Sequence, residues 1–351
     1  MNFQELRIGY VPVSNNFKQP TDRRRFCHYA SKRNISFEIA KPSESYDVVI
    51  VTQVGDLSLW RDYNKGKVIF DFIDSYLAIP KNNPKGLLRG LGKYAVGQSR
   101  YLQLNYWKAL ESMCQRADAV ICITEEQKQD ISKFCQNVHI IFDIHTNVVR
   151  HVKTDYSSSK VFNFVWEGLP ENLHLFSEIQ GVLKYLKSKY QIALHIVTDL
   201  EFYQFFRKYR KRHTTDIAHK LFDNLFDNVY LYGWNEQLCS NIITACDMAL
   251  IPIDLNNPLA SGKPETKLML FWRMGVPAVV SATPVYTRTM QRCGLSMACR
   301  TQQEWQETLE RYIIDMSARQ DAGQRGKTFA ENYYSEEKIL AQWDSLIASV
   351  L

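Results

Sequence analysis

Lys263 and Lys267 stand four residues apart, where a charged stretch runs into the apolar segment Leu-Met-Leu-Phe-Trp. On a helix this spacing brings both ammonium groups to one face, one turn apart. The free N–H groups of a first helical turn and the helix dipole favour an anion there, and lysines add positive charge on flexible stems. These residues predict a phosphate or diphosphate site. The alternative is a solvated helix start with a local ion pair to Glu265, worth under about 1 kcal/mol.

The helix that must position these lysines is bounded by residues typical of helix ends. Pro264 suits a first turn, where its missing N–H costs nothing. Gly275 suits the position after the last turn, and Pro277 prevents continuation. The sequence therefore predicts a helix from about Pro264 to Met274. Apolar side chains cover almost its whole circumference, which predicts burial; they are Leu268, Met269, Leu270, Phe271, Trp272 and Met274.

The same alternation of elements recurs along the whole chain. Apolar runs rich in Val and Ile are separated by helical patterns, and several runs are nearly continuous, as in parallel strands covered on both faces. This predicts an α/β protein of two Rossmann-like doubly wound domains that face each other across a cleft. A Ser-rich stretch at 153–160 reads as the linker. The strands are expected at 7–13, 35–40, 47–54, 67–74, 118–124, 138–143, 161–167, 192–199, 228–234, 248–253 and 278–281.

The composition is that of an ordinary globular protein, with 351 residues and a net charge of +6. A mild basic excess fits phosphate-bearing ligands or an anionic membrane surface and is too small to indicate nucleic acid. The eight cysteines form no C-x-x-C pair, which favours reduced core thiols in a cytosolic protein. Neither a signal-peptide pattern nor an apolar run of about 18 residues is present, so we expect a soluble or peripheral protein.

The stretch from Ile251 to Tyr286 is similar to a segment of a known protein family. This stretch resembles the donor-binding segment of group 1 glycosyltransferases of the GT-B fold, in which a polar loop precedes Lys-Leu-Leu-Glu-Tyr and a Gly-x-Pro-Val-Val turn. The matching residues are Pro252, Lys263, Lys267, Leu268, Gly275, Pro277, Val279 and Val280. Two further stretches are similar to that family: the base-side strand ending at Trp234 and the phosphate-side turn at Gly168.

The resemblance implies a division of labour between the domains. Residues 1–155 would bind the acceptor, residues 156–334 would bind a nucleotide-sugar donor, and a helix at 335–351 would cross back to the first domain. Lys263 and Lys267 would neutralise the diphosphate leaving group, and Lys267 is therefore a catalytic candidate. The implied donor-binding residues are Gly168, Trp234, Lys263, Glu265, Thr266 and Lys267.

Two departures from the family pattern concern the donor site. The family places a glutamate that holds the ribose hydroxyls five residues before the glycine, where this chain has Leu270. An apolar side chain cannot accept those hydrogen bonds, so Glu265 or the backbone must substitute, the donor is atypical, or activity is lost. The basic residues that grip the diphosphate near Gly168 in the family are also not evident here.

On the acceptor side, Asp74 follows a predicted strand and could orient a hydroxyl or act as a base; a turn or N-cap aspartate is the alternative. His145 is a candidate hydrogen-bond donor to a sugar, against an ordinary loop histidine. Arg24 could contact an anionic acceptor, against simple surface ion pairing.

The stretch 81–100 contains five basic residues and no acidic one. If residues 85–95 are helical, Lys85, Arg89 and Lys93 share one face, which predicts an amphipathic basic helix suited to an anionic bilayer. The alternative is a mobile loop over the acceptor cleft, since three glycines weaken the helix. A second basic run, 207–213, reads as a solvated helix face.

The sequence thus predicts a retaining glycosyltransferase that needs no metal or other cofactor, the nucleotide-sugar being a substrate. The partners are a nucleotide-sugar and a glycan or lipid-linked acceptor in surface polysaccharide or glycoconjugate synthesis, with no nucleic acid. The expected place is the cytoplasm, with peripheral attachment to the inner face of the membrane. Two alternatives remain open: a non-catalytic glycosyltransferase-like binding subunit, favoured by Leu270, and a nucleotide-sugar epimerase.

Overall fold

The computed structural model describes residues 5–204 and 210–351. The chain forms two compact units, and neither is a single stretch of sequence. Unit 1 comprises Met1–Ile144, Ser261–Pro264 and Glu336–Leu351; unit 2 comprises His145–Ala260 and Glu265–Ser335. The first segment of unit 1 therefore ends 11 residues before the predicted boundary at 155.

Unit 1 contains a six-stranded parallel sheet in the order β2-β1-β3-β4-β5-β6. The strands are β1 (Ile8–Val11), β2 (Phe37–Ile39), β3 (Val48–Thr52), β4 (Lys67–Asp71), β5 (Ala119–Cys122) and β6 (Val138–Ile140). Every residue of β3 is buried, as expected for a strand covered on both faces.

The helices of unit 1 come from both ends of the chain. They are α1 (Pro20–Arg23), α2 (Phe26–Arg33), α3 (Leu57–Trp60), α4 (Lys85–Ala95), α5 (Tyr106–Arg116), α6 (Glu125–Ile131) and the last helix, α14 (Glu336–Val350). Trp343 of α14 is fully buried and stacks on Tyr29 of α2, with ring centroids 5.5 Å apart. The last helix is therefore part of the core of unit 1.

A buried ion pair fixes the carboxyl end of β4. Arg25 and Asp71 have no exposed side-chain surface, and their closest nitrogen–oxygen distance is 2.6 Å. The same guanidinium group also donates to Asp143, at 3.0 Å. These contacts satisfy a charge that could not otherwise be buried.

Unit 2 contains a second six-stranded parallel sheet, in the order β11-β8-β7-β12-β13-β14. Its strands are β7 (Phe162–Glu167), β8 (Ile192–Thr198), β11 (Asn228–Gly233), β12 (Met248–Ile251), β13 (Ala278–Ser281) and β14 (Ala298–Cys299). Its helices are α7 (Gln180–Lys189), α8 (Thr214–Phe222), α9 (Cys239–Ala245), α10 (Thr266–Arg273), α11 (Pro284–Cys293), α12 (Gln302–Ile314) and α13 (Met316–Tyr333). The 3-10 helix Pro170–Ile179 precedes α7.

An antiparallel hairpin replaces part of a predicted helix. β9 (Glu201–Gln204) pairs with β10 (Arg210–His213), where the basic run 207–213 predicted a solvated helix face. The rest of that run, 207–209, lies outside the described residues. The prediction of a helix is therefore wrong for the part of the run that the structure describes.

Two general expectations can be compared with the structure. All eight cysteines are free thiols, and seven of them are buried, in keeping with the predicted core positions. Within the described ranges, no helix combines the length and the apolar character needed to cross a lipid bilayer.

Candidate functional site

The helix predicted from Pro264 to Met274 is α10, which begins later, at Thr266, and has Glu265 as its N-cap. Its five residues from Leu268 to Trp272 are all buried, in line with their apolar character. Gly275 follows the helix with φ 71°, a conformation that glycine adopts without a Cβ penalty. Because the helix begins at Thr266, Lys263 lies before it, and the expectation of two lysines on one helical face is wrong.

The turn after β7 lies directly beside Lys267 of α10. A methyl group built on Gly168 would lie 2.1 Å from Nζ of Lys267 and 2.9 Å from the ring of Trp166. The Lys267 ammonium stands 4.6 Å from the centroid of the Trp166 ring, an arrangement typical of a cation–π contact. Only a glycine leaves room at position 168 for this lysine to lie across the turn.

Thr198 at the end of β8 holds two of the predicted donor-site segments in place. Its hydroxyl donates to the carbonyl of Gly168 at 2.6 Å, and its own carbonyl accepts from the backbone N–H of Trp234 at 2.8 Å. The turns that follow β7 and β11 are therefore both tied to the strand between them. Sequence reasoning missed Thr198 and Trp166, because a strand-end threonine and a core tryptophan carry no distinctive spacing.

The Lys267 ammonium, the Gly168 turn and the first turn of α10 together suit an anion. Glu265 makes no side-chain hydrogen bond to the first-turn N–H groups. Those groups carry the partial positive charge of the helix end, and the lysine adds a full charge to it. We call the group formed by Trp166, Gly168, Thr198, Thr266 and Lys267 the lysine site.

Glu265 is engaged on the other side of the helix start. It is only 5% exposed, and its Oε1 accepts from the Tyr334 hydroxyl at 2.7 Å and from the Thr289 hydroxyl at 3.2 Å. Among the described residues, its Oε2 is buried without a hydrogen-bond partner. Burial raises the pKa of Glu265, while these hydroxyls and Arg288 act in the opposite direction. This setting does not favour Glu265 as a replacement for the ribose-binding glutamate of the family.

Leu270 is buried within α10. Its apolar side chain offers no acceptor to a ribose at the family's position. The lysine site therefore contains positively charged groups that suit a diphosphate. Neither Glu265 nor Leu270, however, presents a side-chain acceptor to ribose hydroxyls.

In unit 1, Asp74 forms a reciprocal pair with Gln53. The Gln53 amide Nε2 donates to Oδ2 of Asp74 at 2.6 Å, and the Asp74 backbone N–H donates to Oε1 of Gln53 at 3.0 Å. Gln53 comes directly after β3, 21 positions before Asp74. Because the two residues are so far apart in sequence, no local pattern around Asp74 indicates this pair. The carboxylate is thus oriented by a neighbouring strand end and is not a helix cap.

Lys263 belongs to the short segment that clusters with unit 1. Burial lowers the pKa of Lys263, and the charge of Asp74 opposes that change. The neighbouring carbonyl of Gly262 accepts from the Thr124 hydroxyl at 3.4 Å. Within unit 1, the Asp74 carboxylate therefore lies close enough to Lys263 for its charge to favour the protonated lysine.

The other predicted acceptor residues occupy varied settings. Arg24 is half-buried, and its carbonyl accepts from the N–H of Ile144 at 3.0 Å. The imidazole of His145 is buried, a position that does not favour contact with a sugar. Lys85 is exposed, whereas Lys93 is buried, so the expectation that both face outward on one basic surface is wrong for Lys93.

Comparisons with known proteins reveal likeness in structure only. No protein-family model matches the sequence, and no curated protein matches it in sequence. Among solved structures, Anabaena HepE in complex with UDP-glucose is similar with a TM-score of 0.64 and 12% identity, over 98% of this chain and 100% of HepE. A glycosyltransferase from Rickettsia africae has a TM-score of 0.60 and 12% identity, over 98% and 97%.

TarM is also similar, with a TM-score of 0.58 and 12% identity over 85% of this chain. The chain covers 54% of TarM, about half of its length. At these identities the likeness concerns the fold. Both six-stranded parallel sheets and these neighbours confirm the fold expected from the sequence: the chain has the GT-B fold of glycosyltransferases.

Proposed function

We propose that this protein is a glycosyltransferase that moves a sugar from a nucleotide-sugar donor to a glycan or lipid-linked glycan acceptor. The observation that carries the proposal is the lysine site, in which the Lys267 ammonium lies across the Gly168 turn at the start of α10. The GT-B fold supports it, because HepE, a structural neighbour with this fold, is described in complex with UDP-glucose. UDP-sugars are therefore the first donors to test.

In the proposed reaction, unit 2 holds the donor. The diphosphate takes up negative charge as the bond to the sugar breaks, and a lysine placed in advance stabilises that charge more in the transition state than in the ground state. Lys267 and the first-turn N–H groups of α10 would perform this role. We propose that this positive charge replaces a metal ion and that no other cofactor is required.

Asp74 is the proposed group on the acceptor side. Gln53 fixes the orientation of its carboxylate, as is needed for a group that must meet one acceptor hydroxyl. In a retaining reaction the leaving phosphate itself can take the proton of the acceptor hydroxyl. Asp74 would then position the acceptor, and its removal would slow the reaction without abolishing it.

We place the reaction in the synthesis of a surface polysaccharide or another glycoconjugate, in the cytoplasm and at the inner face of a membrane. The support is the basic excess of the chain and its basic segment at 81–100. A lipid-linked acceptor would be presented at such a surface.

A second candidate function is a non-catalytic subunit that has kept the fold. The specific observation in its favour is the buried Leu270, since the residue that holds the ribose in related enzymes is replaced by one that cannot. An enzyme and a scaffold differ in whether they bind a nucleoside diphosphate and release it from a nucleotide-sugar.

The test is a titration with UDP, GDP and ADP, followed by thermal unfolding and calorimetry. A ligand at about 100 times its dissociation constant should stabilise the protein by about 2.7 kcal/mol. Lys267→Ala should remove that shift and leave the unliganded melting temperature nearly unchanged. Lys184→Ala, at an exposed lysine of α7, is the matched control and should retain it.

Three results would count against the proposal. Absence of binding to every diphosphate would favour the scaffold. A large drop in the unliganded melting temperature of Lys267→Ala would mark Lys267 as structural. Conversion of the sugar without an added acceptor would indicate an epimerase, whereas diphosphate release only with an acceptor indicates transfer.

A further inference from the structure

Helix α4 packs on unit 1 through its glycines. A methyl group built on Gly86 would lie 2.4 Å from the indole nitrogen of Trp107, and one on Gly90 would lie 1.9 Å from the carbonyl oxygen of Gln103. Contacts this close are open only to glycine. Gly86 and Gly90, which weaken the helix by propensity, therefore lie on the face that packs against the rest of unit 1.

The cations of α4 are turned partly inward. The Arg89 guanidinium lies 4.3 Å from the ring centroid of Tyr76 and donates to its hydroxyl at 2.7 Å. Lys93 is buried, with its ammonium 4.8 Å from the ring centroid of Tyr106. The face presented to solvent is consequently not the basic face that the sequence spacing suggests.

What α4 presents to solvent is apolar. Leu87, Leu91 and Tyr94, at spacings of four and three residues, share one helical face, and Leu88 beside them is 65% exposed. The segment that α4 contacts through Gln103 is similar, because Leu104 is 68% exposed there. We call these exposed residues the leucine face: Leu87, Leu88, Leu91, Tyr94, Tyr101, Leu102 and Leu104.

Basic residues are interspersed along the segment that forms the leucine face. Residues 81–108 contain six basic residues and no acidic one, the basic ones being Lys81, Lys85, Arg89, Lys93, Arg100 and Lys108. Four of these, Lys81, Lys85, Arg100 and Lys108, are exposed. Lys81 is paired with Glu111 of α5 at 2.8 Å, and Lys85, Arg100 and Lys108 are the other exposed cations of this segment.

We propose that unit 1 docks on an anionic lipid bilayer by inserting the leucine face, with the surrounding cations held at the phosphate level. Apolar side chains gain free energy on entering the acyl boundary, and lysines and arginines are attracted to anionic headgroups. An interface with another protein would more often exclude the lysines. The inference deepens the membrane location given under the proposed function, but its test measures lipid binding and not sugar transfer.

The test is cosedimentation of the whole protein with phosphatidylcholine vesicles, with and without phosphatidylglycerol. Binding is expected with phosphatidylglycerol and should weaken with salt, which shortens the Debye length from about 10 Å at 0.1 M to about 3 Å at 1 M. The triple variant Leu87→Gln/Leu88→Gln/Leu91→Gln should bind the vesicles at least about tenfold more weakly than the unmodified protein. The double variant Lys85→Gln/Lys108→Gln should lose about fivefold for each lysine.

The matched control replaces three apolar residues of unit 2 that are also exposed: Leu238→Gln/Ile314→Gln/Met316→Gln. It should bind vesicles like the unmodified protein. Melting temperatures of all variants should stay close to that of the unmodified protein, since each position is exposed.

Equal binding by the leucine variant and the control would overturn the proposal, as would failure of the unmodified protein to bind phosphatidylglycerol vesicles. Self-association that the leucine variant abolishes, without vesicle binding, would assign the face to a second copy of the chain instead. In either case UDP binding would be unaffected, so failure of this inference is distinct from failure of the proposed function.

Discussion

Replacement of Gly168 by alanine tests the lysine site without removing its charge. The added methyl group would lie 2.1 Å from Nζ of Lys267 and 2.9 Å from the Trp166 ring, whereas carbon atoms in contact are about 3.5–4.0 Å apart. Trp166 is buried and cannot retreat easily, so the mobile lysine must leave the turn. Gly168→Ala should therefore displace the ammonium group from the place where a diphosphate would meet it.

Two magnitudes follow from this displacement. Overpacking against a buried ring costs about 1–3 kcal/mol of stability. A hydrogen bond to a charged group contributes about 1.5–3 kcal/mol, so loss of the lysine contact should weaken diphosphate binding by about 10- to 150-fold. Calorimetric titration with UDP measures the second quantity, and chemical denaturation measures the first.

Gly181→Ala is the matched control for this experiment. Gly181 is exposed in α7, and its added methyl group would have one neighbour, at 3.5 Å on the Gln302 side chain. Alanine is favoured over glycine within a helix by about 0.8–1 kcal/mol, so this variant should gain stability and keep its UDP affinity. If Gly168→Ala binds UDP within about twofold of the unmodified protein, the lysine site is not where the diphosphate binds.

Three further changes test the physical reading of the fold. Because burial raises the pKa of Glu265 above its ordinary 4.5, the stability that this group contributes is present at low pH and is lost as the pH rises through the folded pKa. Glu265→Gln should therefore be more stable than the unmodified protein at neutral pH, and this gain should shrink toward pH 4.5. Urea titrations in which the gain stays constant would contradict the raised pKa of Glu265. Asp71→Asn leaves the Arg25 charge buried without its closest partner and should cost about 3–5 kcal/mol, against little change if solvent reaches that pair. Gly90→Ala places a methyl group 1.9 Å from the Gln103 carbonyl and should lower stability by about 1–3 kcal/mol, with faster hydrogen exchange in α4; unchanged exchange would show that the helix does not pack through this glycine.

The sheets could be predicted from the sequence because their strands are nearly continuous apolar runs. Each expected strand has a counterpart in the structure, from β1 to β8 and from β11 to β13. The hairpin of β9 and β10 was missed because its segment is rich in charge and adds no strand to either main sheet. β14 was missed because it has only two residues, too few for any period.

The candidate site was predictable in its residues but not in its arrangement. Lys267 and Gly168 lie side by side, as the resemblance implied, although their role stays a prediction. The position of Lys263 depends on where α10 begins, and helix starts are poorly determined by sequence. Burial of Glu265 arises from Tyr334 and Thr289, which are distant in sequence and give no local signal.

The sequence of α4 favours the wrong orientation of this helix. Glycines lower helix propensity, and leucines in a helix usually face the core. Here the close approach to Trp107 and Gln103 requires glycine. The glycines at these contacts therefore face the protein, and the leucines face the solvent. Only the neighbouring segments, and not the helix itself, determine this outcome.

The discontinuity of unit 1 has a consequence for how the chain is made. During synthesis the six strands of the unit 1 sheet emerge first, yet α14, which carries the Trp343 ring that covers Tyr29, follows the whole of unit 2. Domains generally fold as they emerge, the N-terminal one first. Here unit 1 stays incomplete, with the aromatic surface around Tyr29 uncovered, until unit 2 has been synthesised and can complete its own sheet. We expect a nascent chain halted before α14 to hold a finished second half beside an unfinished, chaperone-dependent first half.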